Sequence, residues 1–191
     1  MSFWQRLRGH FHTVCVHKRY VAEGCFKLGL YRQGILHDLS KFTPLEFCTG
    51  VRYYDGHRSP NAVERMVNDG CSESWLHHKG RNRHHFEYWI DYSSDPARPV
   101  YGNKMPMRYL AEMVCDRRAA CIAYNEDDYR PSMAWEHYCR TRDYCILHPD
   151  TRLVLEKSLC LMRDEGEEAC FAYLRGLLAK TKGTDYTADM L

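Results

Sequence analysis

Gly34-Ile35-Leu36-His37-Asp38-Leu39-Ser40-Lys41-Phe42-Thr43-Pro44-Leu45-Glu46-Phe47 governs how the rest of the chain is read. An apolar helical stretch ends in an adjacent His37-Asp38 pair. A second helix starts a few residues on: Thr43 is placed to cap it, Pro44 suits its first turn, and Glu46 stands where a capping box takes its acid. A neutral imidazole and a carboxylate are good ligands for divalent first-row metals. Neighbouring residues on a helix point about 100° apart, so this pair needs partners from other helices.

On either side of this stretch, helical patterns dominate and strand patterns are nearly absent. Residues 3–33 are helix-patterned, with Trp4, Leu7, Phe11 and Val14 on one face and His10 and His17 near it. Gly24, Gly29 and Gly34 weaken the far end. The helix that begins at Pro44 runs to about Tyr54, a loop covers 55–60, and a short helix ends at Asp69-Gly70. Ser72 caps a helix carrying Trp75, His77 and His78. Residues 91–105, rich in Pro, Ser and Gly, read as a surface loop or a lid. Pro106 opens a helix to about Tyr124, residues 132–144 form another, and 149–164 and 167–180 make the last two. Leu153, Leu155, Leu159, Leu161, Phe171, Leu174, Leu177 and Leu178 give those two a packing role and no chemistry. The expectation is one all-α domain spanning 1–191, a helical bundle.

Bulk properties narrow the class. Apolar residues at 45% and charged ones at 27% fit a globular chain, and a net charge of +2 gives no reason to invoke nucleic acid. No stretch reaches the roughly 20 apolar residues that span a bilayer, and Gln5, Arg6, Arg8 and His10 do not read as a signal peptide. The expected location is cytoplasmic, without a membrane partner. The ten cysteines include no C-x-x-C pair, and cysteines such as Cys25, Cys115, Cys121 and Cys160 sit among apolar residues in helical patterns, so they read as reduced thiols acting as small core hydrophobes.

The eleven histidines are unevenly placed. Trp75-Leu76-His77-His78-Lys79-Gly80-Arg81-Asn82-Arg83-His84-His85-Phe86-Glu87 holds four of them within nine residues. On one straight helix His78 and His85 would lie about 10 Å apart, so Gly80 and Asn82 must turn the chain if both are to meet one ion. His17 upstream and Asp116, in an otherwise apolar helical run, are further candidates. Each element alone has a plainer explanation, such as a half-buried histidine, a salt-bridging Asp116 or a pH-sensitive histidine strip. Their joint occurrence points to a metal site.

The order His17, His37-Asp38, His77 to His85, Asp116 resembles the HD-domain superfamily, named for its H…HD…D signature. More narrowly, residues 37–47 with 75–89, together with Ser59-Pro60-Asn61 and Cys115-Asp116-Arg117, are similar to an uncharacterised bacterial and phage family catalogued as a domain of unknown function (DUF5662). The superfamily resemblance implies an HD-type bundle binding one or two divalent ions (Mn, Fe, Zn, Co or Mg). It implies His17, His37, Asp38 and Asp116 as ligands of a first ion. Asp38 would bridge to a second held by His78 with His84 or His85, the pair His78 and His85 being favoured, and His77 would stand outside. Lys41 falls where many superfamily enzymes carry a phosphate-contacting lysine, and Arg81 and Arg83 can add anion contacts. The segment between the histidine pairs departs from better-known members.

The resulting expectation is a metal-dependent phosphohydrolase acting on a nucleotide or another small phosphate ester. Paired cations lower the pKa of a water and stabilise charge on phosphoryl oxygens, with Asp38, Lys41 and Arg81 assisting. The alternatives are an HD-type di-iron oxygenase and a non-catalytic protein that keeps a metal for stability. The substrate and the oligomeric state are not legible.

Overall fold

The computed structural model describes residues 1–182 and 185–187 of the chain. Among these are nine α-helices: α1 Phe3–Lys27, α2 Tyr31–Leu36, α3 Pro44–Tyr53, α4 Pro60–Val67, α5 Glu73–Lys79, α6 Met107–Asn125, α7 Met133–Thr141, α8 Pro149–Asp164 and α9 Glu167–Thr181. The all-α expectation holds. No helix among the described residues is long and apolar enough to cross a membrane.

The axis of the fold is α6. Leu110, Ala111, Glu112, Met113, Val114 and Cys115 are consecutive and all buried. A helix covered on nearly every side has no solvent face to which it can send a carboxylate. Glu112 and Asp116 therefore point into the protein. One flank of α6 takes α8 and α9 through Leu155, Leu159, Phe171 and Leu174, which join Val114 and Cys115 in one core. Leu153 departs from its predicted packing role and is exposed.

The other flank takes α1. The buried face of α1 is His10, Val14, His17, Val21, Gly24 and Cys25, whereas Trp4 and Phe11 lie on the exposed side. Gly24 permits the close crossing. A Cβ there would meet Cys115 Sγ at 3.0 Å, so any larger residue would push α1 off α6.

The far end of the first helix, weakened by its glycines, breaks near Gly29, whose φ of 75° no helix can accommodate, and resumes as α2. Two local expectations are corrected. Residues 91–105 are not wholly irregular: Ile90–Tyr92 (β1) pairs antiparallel with Val100–Gly102 (β2), Ile90 opposite Gly102. Three-residue strands are too short to show alternation. Helix α3 does start at Pro44, but without a capping box. The Thr43 hydroxyl donates back to the Ser40 carbonyl at 2.7 Å, and Glu46 is engaged elsewhere. The ten cysteines are all free thiols; Cys25, Cys115, Cys145 and Cys170 are buried, whereas Cys15, Cys48, Cys71 and Cys139 are exposed and lie outside the core.

Candidate metal centre

The His37-Asp38 pair does not sit on a helix. α2 ends at Leu36, His37 adopts an extended ψ of 128°, and Asp38 is left-handed with φ 52°. Aspartate is among the few residues that tolerate this region. Leaving the helix removes the 100° divergence between neighbours, and His37 Nε2 comes within 3.3 Å of Asp38 Oδ2. Lys18 of α1 fixes the turn from below, its ammonium donating to the carbonyls of Ile35 at 2.8 Å and His37 at 2.7 Å.

Four donors meet there. His17 Nε2 lies 3.1 Å from Asp116 Oδ1, 3.3 Å from His37 Nε2 and 3.6 Å from Asp38 Oδ2, and His37 Nε2 lies 3.4 Å from Asp116 Oδ1. A point equidistant from four atoms so spaced is about 2 Å from each, which is the length of a metal–nitrogen or metal–oxygen bond. The second oxygen of Asp38 faces a second set. Oδ1 is 3.4 Å from His78 Nε2 and 3.3 Å from His84 Nε2, with His85 in the same group. The structure brings together both histidines that the sequence left as alternatives. Gly80 ends α5, and Asn82 folds back with its amide donating to the His78 carbonyl at 2.9 Å. The His78 and His85 rings end 4.8 Å apart.

Two carboxylates missed by sequence reasoning orient these rings. Glu112 Oε1 accepts from His37 Nδ1 at 2.9 Å and lies 3.2 Å from His84 Nδ1. Glu46 accepts from His78 Nδ1 at 2.8 Å through Oε2 and from His77 Nδ1 at 2.6 Å through Oε1. With a cation between them, each of His37, His78 and His84 can keep its proton on Nδ1 and turn Nε2 toward the site, the usual outer support of metal-binding histidine. Glu112 had a readable signal, since it lies one helical turn before Asp116 in an apolar run. Glu46 was assigned to a cap.

The electrostatics ask for positive charge. Burial disfavours a charged His37, yet Asp38, Asp116 and Glu112 more than reverse this and lift its pKa well above the ordinary value. Burial would raise Asp38, but His37, Lys41 and His78 hold its carboxyl well below the usual range. Asp116 is held low by His17 and His37 against the same burial. His85 is pushed well down by burial beside His84 and His78, which keeps its imidazole neutral. Asp38 Oδ2 has the Lys41 ammonium at 2.7 Å, but Asp38 Oδ1, His84 Nε2 and His85 Nε2 are buried without a hydrogen-bond partner. Such atoms cost about 1–3 kcal/mol each when left so. A cation among them removes that cost, so the donor set fits a metal.

Of the remaining predicted residues, Lys41 is in place, its ammonium 2.7 Å from Asp38 Oδ2. It lines a cleft of about 210 Å³ with His10, Thr13, Pro60 and Tyr124. Arg81 is not brought to the centre: it is exposed and donates to the His77 carbonyl at 3.2 Å. Arg83 turns outward to the Tyr109 hydroxyl at 3.3 Å. Both follow the end of α5 on the solvent side of the turn that sends His84 inward.

The chain matches, over residues 6–161, the model of a family described as a family of unknown function (DUF5662). The protein belongs to this family. The matched span holds every donor from His17 to Asp116 and stops before α9. No curated protein and no solved structure matches the chain.

Proposed function

We propose that the protein is a metal-dependent phosphohydrolase acting on a small phosphate ester, built on an HD-type bundle. One observation carries this reading: Asp38 stands between two donor sets with an oxygen toward each, and an ammonium reaches the same carboxylate beside an open cleft. The order of donors, His17, His37-Asp38 and Asp116 meeting at one point, supports the HD-type assignment.

His17, His37, Asp38 and Asp116 would hold one divalent ion, and Asp38, His78, His84 and His85 a second. Such ions supply Lewis acidity, acidifying water and drawing charge off phosphoryl oxygens. The chain's own groups do the rest. Lys41 brings a fixed positive charge to the cleft, where a phosphate oxygen can accept from it. Glu112 and Glu46 hold the imidazoles in one tautomer through the reaction. Val14, Ala120 and Tyr124 line the cleft beside the donors, and restricted access of water strengthens the charge interactions inside.

The test is metal-stimulated phosphate release from a panel of phosphate esters, with His37→Ala and Asp38→Ala as controls. Loss of release in both variants, with the fold intact by circular dichroism, is the expected result. Release unchanged in both would refute the assignment. Oxygen consumption by iron-loaded protein would move the reading to the oxygenase. A blank panel with a chelator-sensitive melting temperature would move it to a metal-stabilised binding protein.

A further inference from the structure

A second, larger cleft borders the same centre. It encloses about 800 Å³ between α5, residues 85–90, α6 and α7. Trp75, His85, Asp116, Ala120 and Tyr124 line both this space and the smaller cleft around Lys41. The metal donors thus form part of the wall between two openings.

The larger cleft contains two buried groups that nothing in the mechanism uses. Glu87 Oε2 and Arg117 Nε both lack a hydrogen-bond partner. Both side chains line the same space, and the two atoms themselves, one an acceptor and the other a donor, are covered and do not bond to each other. Folding rarely leaves such atoms unserved unless something else serves them. Two more guanidiniums, Arg65 and Arg140, share the walls. Arg117 is held over the Tyr138 ring at 5.6 Å and Arg65 over Trp75 at 5.4 Å, so both are positioned before any ligand arrives. Ile90, Met113 and Ala134 supply apolar surface between them.

We propose that this cleft binds the non-reacting part of the substrate, and that this part carries a second anionic group for Arg117 next to a hydroxyl or N–H for Glu87. For the reaction at Asp38 the proposal rests on the phosphohydrolase reading. The volume lies within the range of small-molecule pockets and far exceeds one phosphate. Three guanidiniums share the walls with the carboxylates of Glu87, Asp116 and Glu136, a mixed lining suited to a ligand that carries both an anionic group and a hydrogen-bond donor. A hydroxyl donor beside a second phosphate is the chemistry of a sugar bisphosphate or of a nucleoside bisphosphate.

The experiment titrates the metal-loaded full chain by calorimetry with inorganic phosphate, ribose 5-phosphate, fructose 1,6-bisphosphate and adenosine 3′,5′-bisphosphate. At least one bisphosphate should bind about tenfold or more tighter than ribose 5-phosphate, a charge-assisted hydrogen bond's worth. The two bisphosphates distinguish a free sugar from a nucleotide. Arg117→Lys keeps the charge but loses the planar guanidinium fork and should erase the advantage, leaving inorganic phosphate unchanged. Arg140→Ala, on the exposed rim, should reduce it severalfold, and carries the test alone should Arg117→Lys fail to fold. Bisphosphates binding no tighter than ribose 5-phosphate would overturn the proposal, as would an advantage that survives these substitutions. If phosphate fails to bind while an Arg117-dependent bisphosphate binds, the hydrolase reading falls and the cleft stands. If no probe binds, both fall.

Discussion

Replacing Asp38 with asparagine separates charge from shape. Asparagine has the same outline and tolerates the left-handed φ of 52°, so the turn that aims His37 survives. What disappears is the negative charge between His17 and His37 on one side and His78 and His84 on the other. The wild-type protein at a metal concentration of 100 times Kd gains about 2.7 kcal/mol from one site. For a chain of this size that corresponds to roughly 5–10 °C in Tm. The variant should lose this increment and carry at most one ion per chain by elemental analysis. In excess chelator the difference should shrink. The variant then gives up only the ion pair of Asp38 with Lys41 at 2.7 Å and no bound ion, so it should melt below wild-type by less than it does with metal. The assay is paired melting curves with metal and with EDTA. An equal loss of Tm in both conditions would show that Asp38 serves packing and not ion binding. Two ions retained by the variant would refute the bridging geometry outright.

Other consequences are more local. Glu112→Gln weakens the acceptor at His37 and His84 Nδ1 and should lower metal affinity about 10–100-fold, measured by competition with a coloured chelator, with circular dichroism unchanged. Gly50→Ala would drive a methyl into the His10 ring, which is confined by Phe47 and Tyr54, and should cost about 1–3 kcal/mol in urea unfolding. Burial, with Lys41 nearby, lowers the His10 pKa from 6.5 to about 4. The folded state therefore binds fewer protons than the unfolded chain. Its contribution is complete above pH 6.5 and is lost as pH falls toward 4, a total of about 3 kcal/mol. Urea midpoints across that window should drop less in His10→Gln than in wild-type, and parallel slopes would rule this origin out.

The helical class was legible in the chain alone, because apolar residues at helical spacing have one economical way to be buried. So were most helix starts, through Pro44, Ser72 and Pro149, whose chemistry acts within a turn. The candidate ligands His17, His37, Asp38, His78, Asp116 and the alternatives His84 and His85 could also be named, since so many ligand-type side chains in apolar surroundings have little else to do. How they meet depended on packing. The left-handed Asp38, the fold-back of Asn82 and the close α1–α6 crossing at Gly24 set distances that no local pattern encodes. Likewise Glu46 belongs to a helix-start motif in the sequence, but a buried carboxylate beside two imidazoles binds them instead of its own backbone. Arg81 went the other way: adjacency to the histidines suggested a site residue, and the turn after α5 left it in solvent. Spacing along a chain fixes which face of an element a side chain takes, while the packing of elements fixes what that face meets.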